Sequence, residues 1–363
     1  MSETIAPMAD EQTFESIPAH IRRAMTPEQA AVVRHQLART PFAFVGASGG
    51  QIEAMRADYN DERAFWNEGG PQMVRTDNMT LPLAGASVPV RIHRPVDAET
   101  LPAIIFVHGG GFTVGNLDTH DRIQRVLAAE SGAAVIAVDY SLTPEAVFPQ
   151  AMHEVAGAAA YFAARGSEHG IDPKRLAFAG DSAGANLALT ATLLLRDEPH
   201  VAAEAAGLDA DPSAGQPGGD SAFESIRSLL LYYGTYGLRD SATMRLYGGW
   251  WDGLSCADLE VMLEAHYRGA QYVANPYVDP LTADYSKPVP PMFIVGAELD
   301  PLADDSRALN KVLGTFGRER EFHLEEGALH SFLHFGRMME ASRDVLAWGA
   351  EYAAARFDDS SQA

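Results

Sequence analysis

A serine at position 182 lies in the pentapeptide Gly180-Asp181-Ser182-Ala183-Gly184, between the apolar run LAFAG and a strong helical pattern. In a G-x-S-x-G sequence on a strand-to-helix turn, the serine hydroxyl projects from the sheet and the glycines tolerate the crowded backbone. The helix that follows also favours negative charge near its N-terminus. The pentapeptide alone occurs by chance in many proteins, but its strand-turn-helix context predicts that Ser182 is a nucleophile.

A glycine-rich segment upstream, His108-Gly109-Gly110-Gly111-Phe112, directly follows the apolar run AIIFV. Because no side chains obstruct them, the backbone N–H groups of such a loop can approach a substrate carbonyl oxygen. We expect the amides of Gly109, Gly110 and Ala183 to form an oxyanion hole. An ordinary glycine turn and a phosphate-binding loop are the alternatives, and the absence of a following G-K-[ST] disfavours the phosphate loop.

A nucleophilic serine needs a base, and the base needs an acid that orients it. The run MFIVGAELD ends at Asp300, and the C-terminal ends of strands are where α/β sheets place ligands. Glu298 would still lie inside the strand, whereas Asp304 and Asp305 would cap the next helix. Asp300 is therefore the predicted orienting acid.

His330 lies in a glycine-bounded loop after the last predicted strand, EFHLEE. Its position gives the chain order serine, acid, histidine that G-x-S-x-G enzymes on α/β sheets share, so we predict that His330 is the base. The spacing of His330 to His334 would also suit two metal ligands on one helix. No H-E-x-x-H frame is present, however, and we expect no metal.

An open α/β sheet must position these residues. Apolar runs bounded by turn residues predict parallel strands buried on both faces, and helical patterns fill the gaps between them. The predicted strands are 88–96, 103–107, 134–140, 176–180, 228–234, 292–300 and 321–326, and the predicted helices are 122–131, 152–165, 183–196 and 306–316.

Two regions depart from this alternation of strands and helices. Residues 1–60 have helical patterns without strands, and residues 238–275 carry Trp250, Trp251 and a further helical pattern. We interpret 1–60 as an N-terminal helical cap segment and 61–363 as one catalytic domain with a cap insertion around 238–275. The Gly/Pro/Ala/acidic stretch His200–Asp220 is predicted to be a loop without a catalytic role.

The composition limits the partners of the protein. Its 363 residues include 27 Lys and Arg against 49 Asp and Glu, a formal charge of −22. Because binding to nucleic acid or to an anionic membrane needs clustered basic residues, we expect neither partner.

The single cysteine, Cys256, allows no intrachain disulfide and is predicted to be buried. An acidic N-terminus and the short longest apolar run, Leu187–Leu195, favour a cytoplasmic protein.

Several motifs resemble those of a known family. The segments HGGGF, GDSAG, Asp300-Pro301-Leu302 and the His330 loop together resemble the hormone-sensitive-lipase-like branch of the α/β-hydrolases. Within that branch, GNLDTHDR, YSLTPE, YYGTYGLRDS, GGWWDGL and ALHSFLHFGRMM are similar to segments of bacterial acetyl esterases, and the similarity runs from about Glu62 to the end.

The resemblance implies a particular fold, reaction and site. The fold would be an α/β-hydrolase fold with a helical cap, and the enzyme a serine esterase of short-chain acyl esters that needs neither metal nor cofactor. By the same resemblance, Ser182 is the nucleophile, His330 the base, Asp300 its orienting acid, and Gly109, Gly110 and Ala183 the oxyanion donors.

The predicted function is therefore the hydrolysis of small-molecule esters with acyl groups from acetyl to butyryl. Trp66, Trp250 and Trp251 could shorten the acyl pocket by their bulk, and packing within the cap is the alternative for them. An amidase or lactonase with the same triad is a competing function, and so is a non-catalytic ligand-binding protein on this scaffold. The sequence leaves the natural alcohol, the stereoselectivity and the oligomeric state open, with a homodimer as one option.

Overall fold

An eight-stranded sheet forms the centre of the protein in a computed structural model, which describes residues 13–38, 50–208, 220–252, 254–270 and 275–358. Its strand order is β1-β2-β4-β3-β5-β6-β7-β8. β2 pairs antiparallel with β1 and β4, and every pair from β4 across to β8 is parallel. The strands are β1 (Arg75–Leu83), β2 (Ala86–Arg94), β3 (Leu101–Val107), β4 (Ala134–Val138), β5 (Ile171–Asp181), β6 (Ile226–Tyr232), β7 (Met292–Ala297) and β8 (Arg320–Glu325). The predicted, mostly parallel α/β sheet is confirmed.

Helices cover both faces of this sheet, which explains why its central strands are apolar. The helices are α4 (Asp121–Ser131), α5 (Gln150–Arg165), α6 (Ala183–Asp197) and α12 (Glu340–Phe357), and α11 (Ala303–Thr315) packs beside β7 and β8. One hydrophobic cluster joins the sheet to α5 and α6, and a second joins it to α4 and α12 on the other face. β3, β4, β6 and β7 are consequently buried almost throughout.

Two parts of the sheet and its connections differ from the sequence-based prediction. β1 was not predicted, because its sequence RTDNMTLPL is polar over most of its length and lies largely exposed at the edge. The prediction of a loop over His200–Asp220 is wrong at its start, where the structure has the helix α7 (Pro199–Ala205). A proline at the first helical position and several alanines favour this helix. A short helix, α8 (Asp220–Ser225), follows, and residues 209–219 lie outside the described residues.

Helices before β1 and after β6 form the regions that we interpreted as the cap. The N-terminal helices are α1 (Ala19–Ala24), α2 (Pro27–Leu37) and α3 (Gly50–Asn67), and α3 continues past the predicted boundary at residue 60. The later region contains α9 (Ala242–Leu246) and α10 (Cys256–His266). Cys256 begins α10 and is exposed, so the prediction that it is buried is wrong. The division of the chain into a cap segment and a catalytic domain stays a prediction.

The helix α3 is attached to the loops above the sheet through one arginine. The Arg56 guanidinium donates two hydrogen bonds of 2.8 Å to the carboxylate of Glu145. It also donates to the carbonyl oxygens of Thr113, at 2.8 Å, and Thr143, at 3.0 Å. This arrangement holds α3 against the segment that follows the glycine-rich loop. No helix in the described ranges is long and apolar enough to cross a membrane.

We predict that Gly184→Ala destabilises the protein. A Cβ atom at this position would lie 2.0 Å from the carbonyl oxygen of Val107, because the first turn of α6 packs directly on the end of β3. In an open helical position the same change would stabilise by about 1 kcal/mol. Here we expect the free energy of unfolding to fall by about 1–3 kcal/mol, measured by urea denaturation.

A control isolates the effect of helix propensity in this experiment. Ala129 is exposed on α4, and Ala129→Gly should lower the free energy of unfolding by about 0.5–1 kcal/mol through propensity alone. A Gly184→Ala protein that is more stable than the wild type would contradict the close packing of α6 on β3.

Candidate active site

Ser182 lies at the sharp turn between β5 and α6. Its φ of 53° and ψ of −118° place a non-glycine residue in a strained region of backbone space. The Ser182 N–H donates to the carbonyl oxygen of Tyr232 at 2.9 Å, which fixes the turn against the neighbouring strand β6. The conformation directs the hydroxyl away from the sheet, as the G-x-S-x-G pattern predicted.

Ser182, His330 and Asp300 form one hydrogen-bonded line. Ser182 Oγ is 3.0 Å from His330 Nε2, and His330 Nδ1 is 2.8 Å from Asp300 Oδ2. An ionised carboxylate can only accept, so Nδ1 carries the proton and Nε2 of the neutral ring accepts from the serine hydroxyl. The other Asp300 oxygen, Oδ1, accepts from the N–H of Leu302 at 2.8 Å. The structure thus brings the three sequence-predicted residues together, and all three are buried.

The rival carboxylates of the sequence analysis all have other partners. Glu298 accepts from the N–H of Gly327 at 2.8 Å. Asp304 accepts from the N–H of Thr243 at 3.0 Å, and Asp305 accepts from the N–H of Tyr236 at 2.6 Å. These three carboxylates fix the loops around the site, whereas Asp300 contacts the histidine.

The surroundings of His330 favour its protonated form. Burial alone lowers the pKa of the imidazole, but the carboxylate of Asp300 outweighs burial and raises the pKa above its ordinary value. Asp252 and Asp181 add to this effect to a smaller degree. The Tyr233 ring and the imidazole are in edge-to-face contact, with a centroid separation of 5.1 Å. A histidine in this environment accepts a proton more readily than a free histidine does.

The glycine-rich loop after β3 differs from the prediction at one residue. The N–H of Gly109 donates to Asp181 Oδ1 at 2.8 Å, so this amide is already engaged inside the protein. Gly110, Gly111 and Ala183 line the cavity in front of Ser182. Gly110 has a φ of 120°, and a Cβ atom there would lie 2.2 Å from the carbonyl oxygen of Val114. Gly109 is not among the residues that line the cavity, whereas Gly111, which was not among the predicted oxyanion donors, does line it.

A buried polar cluster lies behind the nucleophile. His120 Nε2 is 3.3 Å from Asp181 Oδ1, and the rings of His120 and His334 are in edge contact with centroids 4.4 Å apart. Burial raises the pKa of the Asp181 carboxyl, but His120 and the N–H of Gly109 outweigh burial and lower it below its ordinary value. Sequence reasoning missed this cluster, because its members come from three segments without a common motif.

The same cluster contains three side chains of the types that bind metal ions. Asp181, His120 and His334 each offer one ligand atom, and these atoms lie within 4.8 Å of one another in the described part of the chain. Asp181 Oδ1, however, already accepts from Gly109 and faces His120. A hydrogen bond and an imidazole–carboxylate contact therefore account for the arrangement of the carboxylate.

A cavity of about 250 Å³ opens in front of Ser182. The glycine-rich loop and the His330 loop form its base, and residues of α2, α3 and α10 and of the loop before α10 enclose it. Trp250 and Trp251 line the cavity. Trp66 does not line the cavity and is buried against Phe335, so packing and not pocket size explains this residue.

Comparison with known proteins agrees with this fold. The sequence pattern of the alpha/beta hydrolase fold family matches residues 104–334, and the chain belongs to this family. A hyperthermophilic esterase from the archaeon Pyrobaculum calidifontis is 28% identical and superposes with a TM-score of 0.77, covering 91% of this chain and 98% of its own. An ester hydrolase from the metagenome of Lake Arreo, complexed with a derivative of bipyridine phosphonate, is 25% identical with a TM-score of 0.78, covering 92% and 100% of the two chains.

A further relative shows the fold alone. The thermostable esterase from Pseudomonas putida is 23% identical and has a TM-score of 0.78, with 93% of this chain and 98% of that chain covered. Taken together, the family and the structural relatives define this protein as an esterase-like α/β hydrolase, an enzyme of the carboxylic ester hydrolase class.

We predict that the pKa of His330, measured by NMR, lies above the ordinary histidine value of about 6.5. The Asp300 carboxylate stabilises the imidazolium, so Asp300→Asn should lower this pKa. His266 provides an internal reference, because burial lowers its pKa to about 3 and its ring should stay neutral over the same range. A His330 pKa that does not change in the folded Asp300→Asn protein would contradict the assigned contact.

Proposed function

We propose that this protein is a serine carboxylesterase that hydrolyses esters of short acyl groups, from acetyl to butyryl. Ser182 is the nucleophile, His330 the general base and Asp300 the acid that orients it. The observation that carries the proposal is the hydrogen-bonded line of 3.0 Å and 2.8 Å through these residues at the base of a cavity. A nucleophile within hydrogen-bond reach of a base, itself held by a third group, is the arrangement that acyl transfer requires.

The proposed reaction proceeds in two steps. His330 Nε2 takes the hydroxyl proton of Ser182 as the oxygen attacks the ester carbonyl, and Asp300 stabilises the imidazolium that forms. His330 then gives this proton to the leaving alcohol, which releases it and leaves an acyl group on Ser182. Water, deprotonated by the same histidine, hydrolyses the acyl-enzyme and regenerates the serine.

The oxyanion donors in this proposal are the amides of Gly110, Gly111 and Ala183. All three residues line the cavity, whereas the N–H of Gly109 is committed to Asp181. Gly109 is therefore replaced by Gly111 in the set that we expected from the sequence. In a well-studied serine enzyme, loss of one such donor costs about 2.7–4 kcal/mol of transition-state stabilisation.

The cavity supports a preference for short acyl groups. Its volume of about 250 Å³ is small, since ligand pockets for drug-sized molecules commonly span about 300–1,000 Å³. Met262 of α10 packs directly on Gly111, with its Sδ atom only 1.9 Å from the position that a Cβ of Gly111 would take. The apolar side chains of Leu259 and Leu263 line the same wall. A long acyl chain would have to displace these side chains.

Replacement of Ser182 by alanine should abolish ester hydrolysis. Because the mutation removes the nucleophile, we expect kcat on p-nitrophenyl acetate to fall by about 10⁵-fold or more. Ser286 is exposed on the surface, and Ser286→Ala serves as the matched control with unchanged turnover. Retention of substantial activity by a purified, folded Ser182→Ala protein would refute the assignment of the nucleophile.

The acyl preference can be measured with p-nitrophenyl esters from acetate to laurate. We expect kcat/KM to be highest between acetate and butyrate and to fall for longer chains, because the wall at Met262 limits the pocket. Met262→Ala removes part of this wall and should move the optimum to longer chains. A wild-type kcat/KM that is highest on laurate would contradict the short-acyl proposal. A matched anilide substrate would test whether the protein also cleaves amides.

A further inference from the structure

The loop that carries His330 is bound by side chains from the cap. The N–H of Leu329 donates to Gln29 Oε1 at 3.0 Å, and the N–H of His330 donates to Asp252 Oδ1 at 2.8 Å. Gln29 belongs to α2 near the N-terminus, and Asp252 lies in the loop before α10. Two consecutive amides of the catalytic loop therefore find their acceptors in two segments that are distant in sequence.

We propose that Asp252 is a positioning residue of the esterase, which holds the backbone of His330 and supplies a second carboxylate, besides Asp300, near its imidazole. This inference rests on the proposed function, because it assigns Asp252 a role through His330. It also gives the cap a part in assembling the site, in addition to covering the substrate.

Apolar packing supports this role of the cap. Leu299 and Leu329, the residues directly before Asp300 and His330, are buried in a small hydrophobic cluster. The remaining buried members come from the N-terminal region, and Trp251, directly before Asp252, packs against the same cluster. The acid loop, the base loop and both parts of the cap thus share one apolar contact region. The buried N-terminal members are Phe14, Ile17, Ile21, Met25 and Val33.

Local structure directs the Asp252 carboxyl group to the site. The N–H of Asp252 donates to the carbonyl oxygen of Gly249 at 3.0 Å, and a β-bridge joins Gly249 to Leu254. This tight turn places Asp252 in the wall of the cavity, beside Trp251. Its second oxygen, Oδ2, is buried and has no hydrogen-bond partner within the described residues. A carboxyl group held in this way is aimed at the catalytic residues and is not a solvated surface group.

The charges around His330 make the contribution of Asp252 measurable. Burial raises the pKa of Asp252 well above its ordinary value and repulsion from Asp300 adds to this effect, whereas the charge and the N–H of His330 oppose it. In its ionised form, Asp252 favours the protonated form of His330. Removal of the ionisable carboxyl group should therefore lower the pKa of His330. The polar and titratable groups that face this histidine are Asp300, Ser182, Asp252, Asp181, Tyr233 and His334.

Two substitutions separate the hydrogen bond from the charge. Asp252→Asn keeps an oxygen that can accept from the His330 N–H but removes the carboxylate charge, whereas Asp252→Ala removes both. Glu260 is exposed on α10, and Glu260→Gln is the matched control because it removes one negative charge from the same region. Each protein is assayed on p-nitrophenyl acetate across pH, and its thermal unfolding is recorded.

For Asp252→Ala we expect kcat to fall by about tenfold to a hundredfold, with KM changed by less than about threefold, because the base is misplaced while the pocket is kept. Asp252→Asn should restore kcat to within about threefold of the wild type at the pH optimum. Its acid limb of kcat/KM should move to lower pH, since the imidazolium has lost a neighbouring carboxylate. Glu260→Gln should match the wild type in kcat and in the position of the acid limb.

The proposal is overturned by any of three results. These are an Asp252→Ala protein with wild-type kcat, an Asp252→Asn protein that loses as much as the alanine variant, and an unshifted acid limb in Asp252→Asn. If the alanine variant does not fold, the pH profile of Asp252→Asn still decides. Failure of the proposed function itself would appear separately, as a wild-type protein that does not hydrolyse the ester.

Discussion

The hydrogen bond from the Gly109 N–H to Asp181 Oδ1 connects the two loops on which the rest of the site depends. Gly109 follows β3, and Asp181 ends the adjacent strand β5. Because the bond is buried and its acceptor is kept ionised by His120 and Gly109 itself, it fixes the distance between the glycine-rich loop and the nucleophile turn. The amides of the following glycines and the hydroxyl of Ser182 then face the same cavity. The charges around Asp181 would therefore contribute to the preorganisation of the proposed oxyanion donors.

The loop of His330 is held by residues outside the sheet, unlike the glycine-rich loop, which is bound to the end of β5. β7 and β8 bring Asp300 and His330 to the same edge of the sheet as Ser182, but the loop of His330 depends on acceptors outside the sheet. Gln29 and Asp252 bind its amides, and a small apolar cluster joins it to the N-terminal helices. Residues that enclose the cavity thus also hold His330, so substrate recognition and placement of the proposed base would be coupled.

Much of the fold could be predicted because the relevant information is local. Parallel strands end at the same edge of a sheet, so motifs after three strands indicated that Ser182, Asp300 and His330 would meet, and the structure places these side chains within hydrogen-bond distance. The features of the site that were not predicted concern contacts between distant segments. Three contacts depend on tertiary packing that no local sequence pattern records. They are the hydrogen bond from Gly109 to Asp181, the polar cluster at His120 and the hydrogen bond from His330 to Asp252. β1 was missed for a related reason, since an exposed edge strand needs few apolar residues.

The contact between Gln29 and the amide of Leu329 has a consequence for biosynthesis. The two residues are separated by 300 positions, so Gln29 leaves the ribosome long before the partner that it binds in the folded protein. Ser182 also precedes His330 in the chain, and the proposed nucleophile has no base until the His330 loop has been synthesised. The proposed activity should therefore arise only when that loop has docked against the helix that carries Gln29.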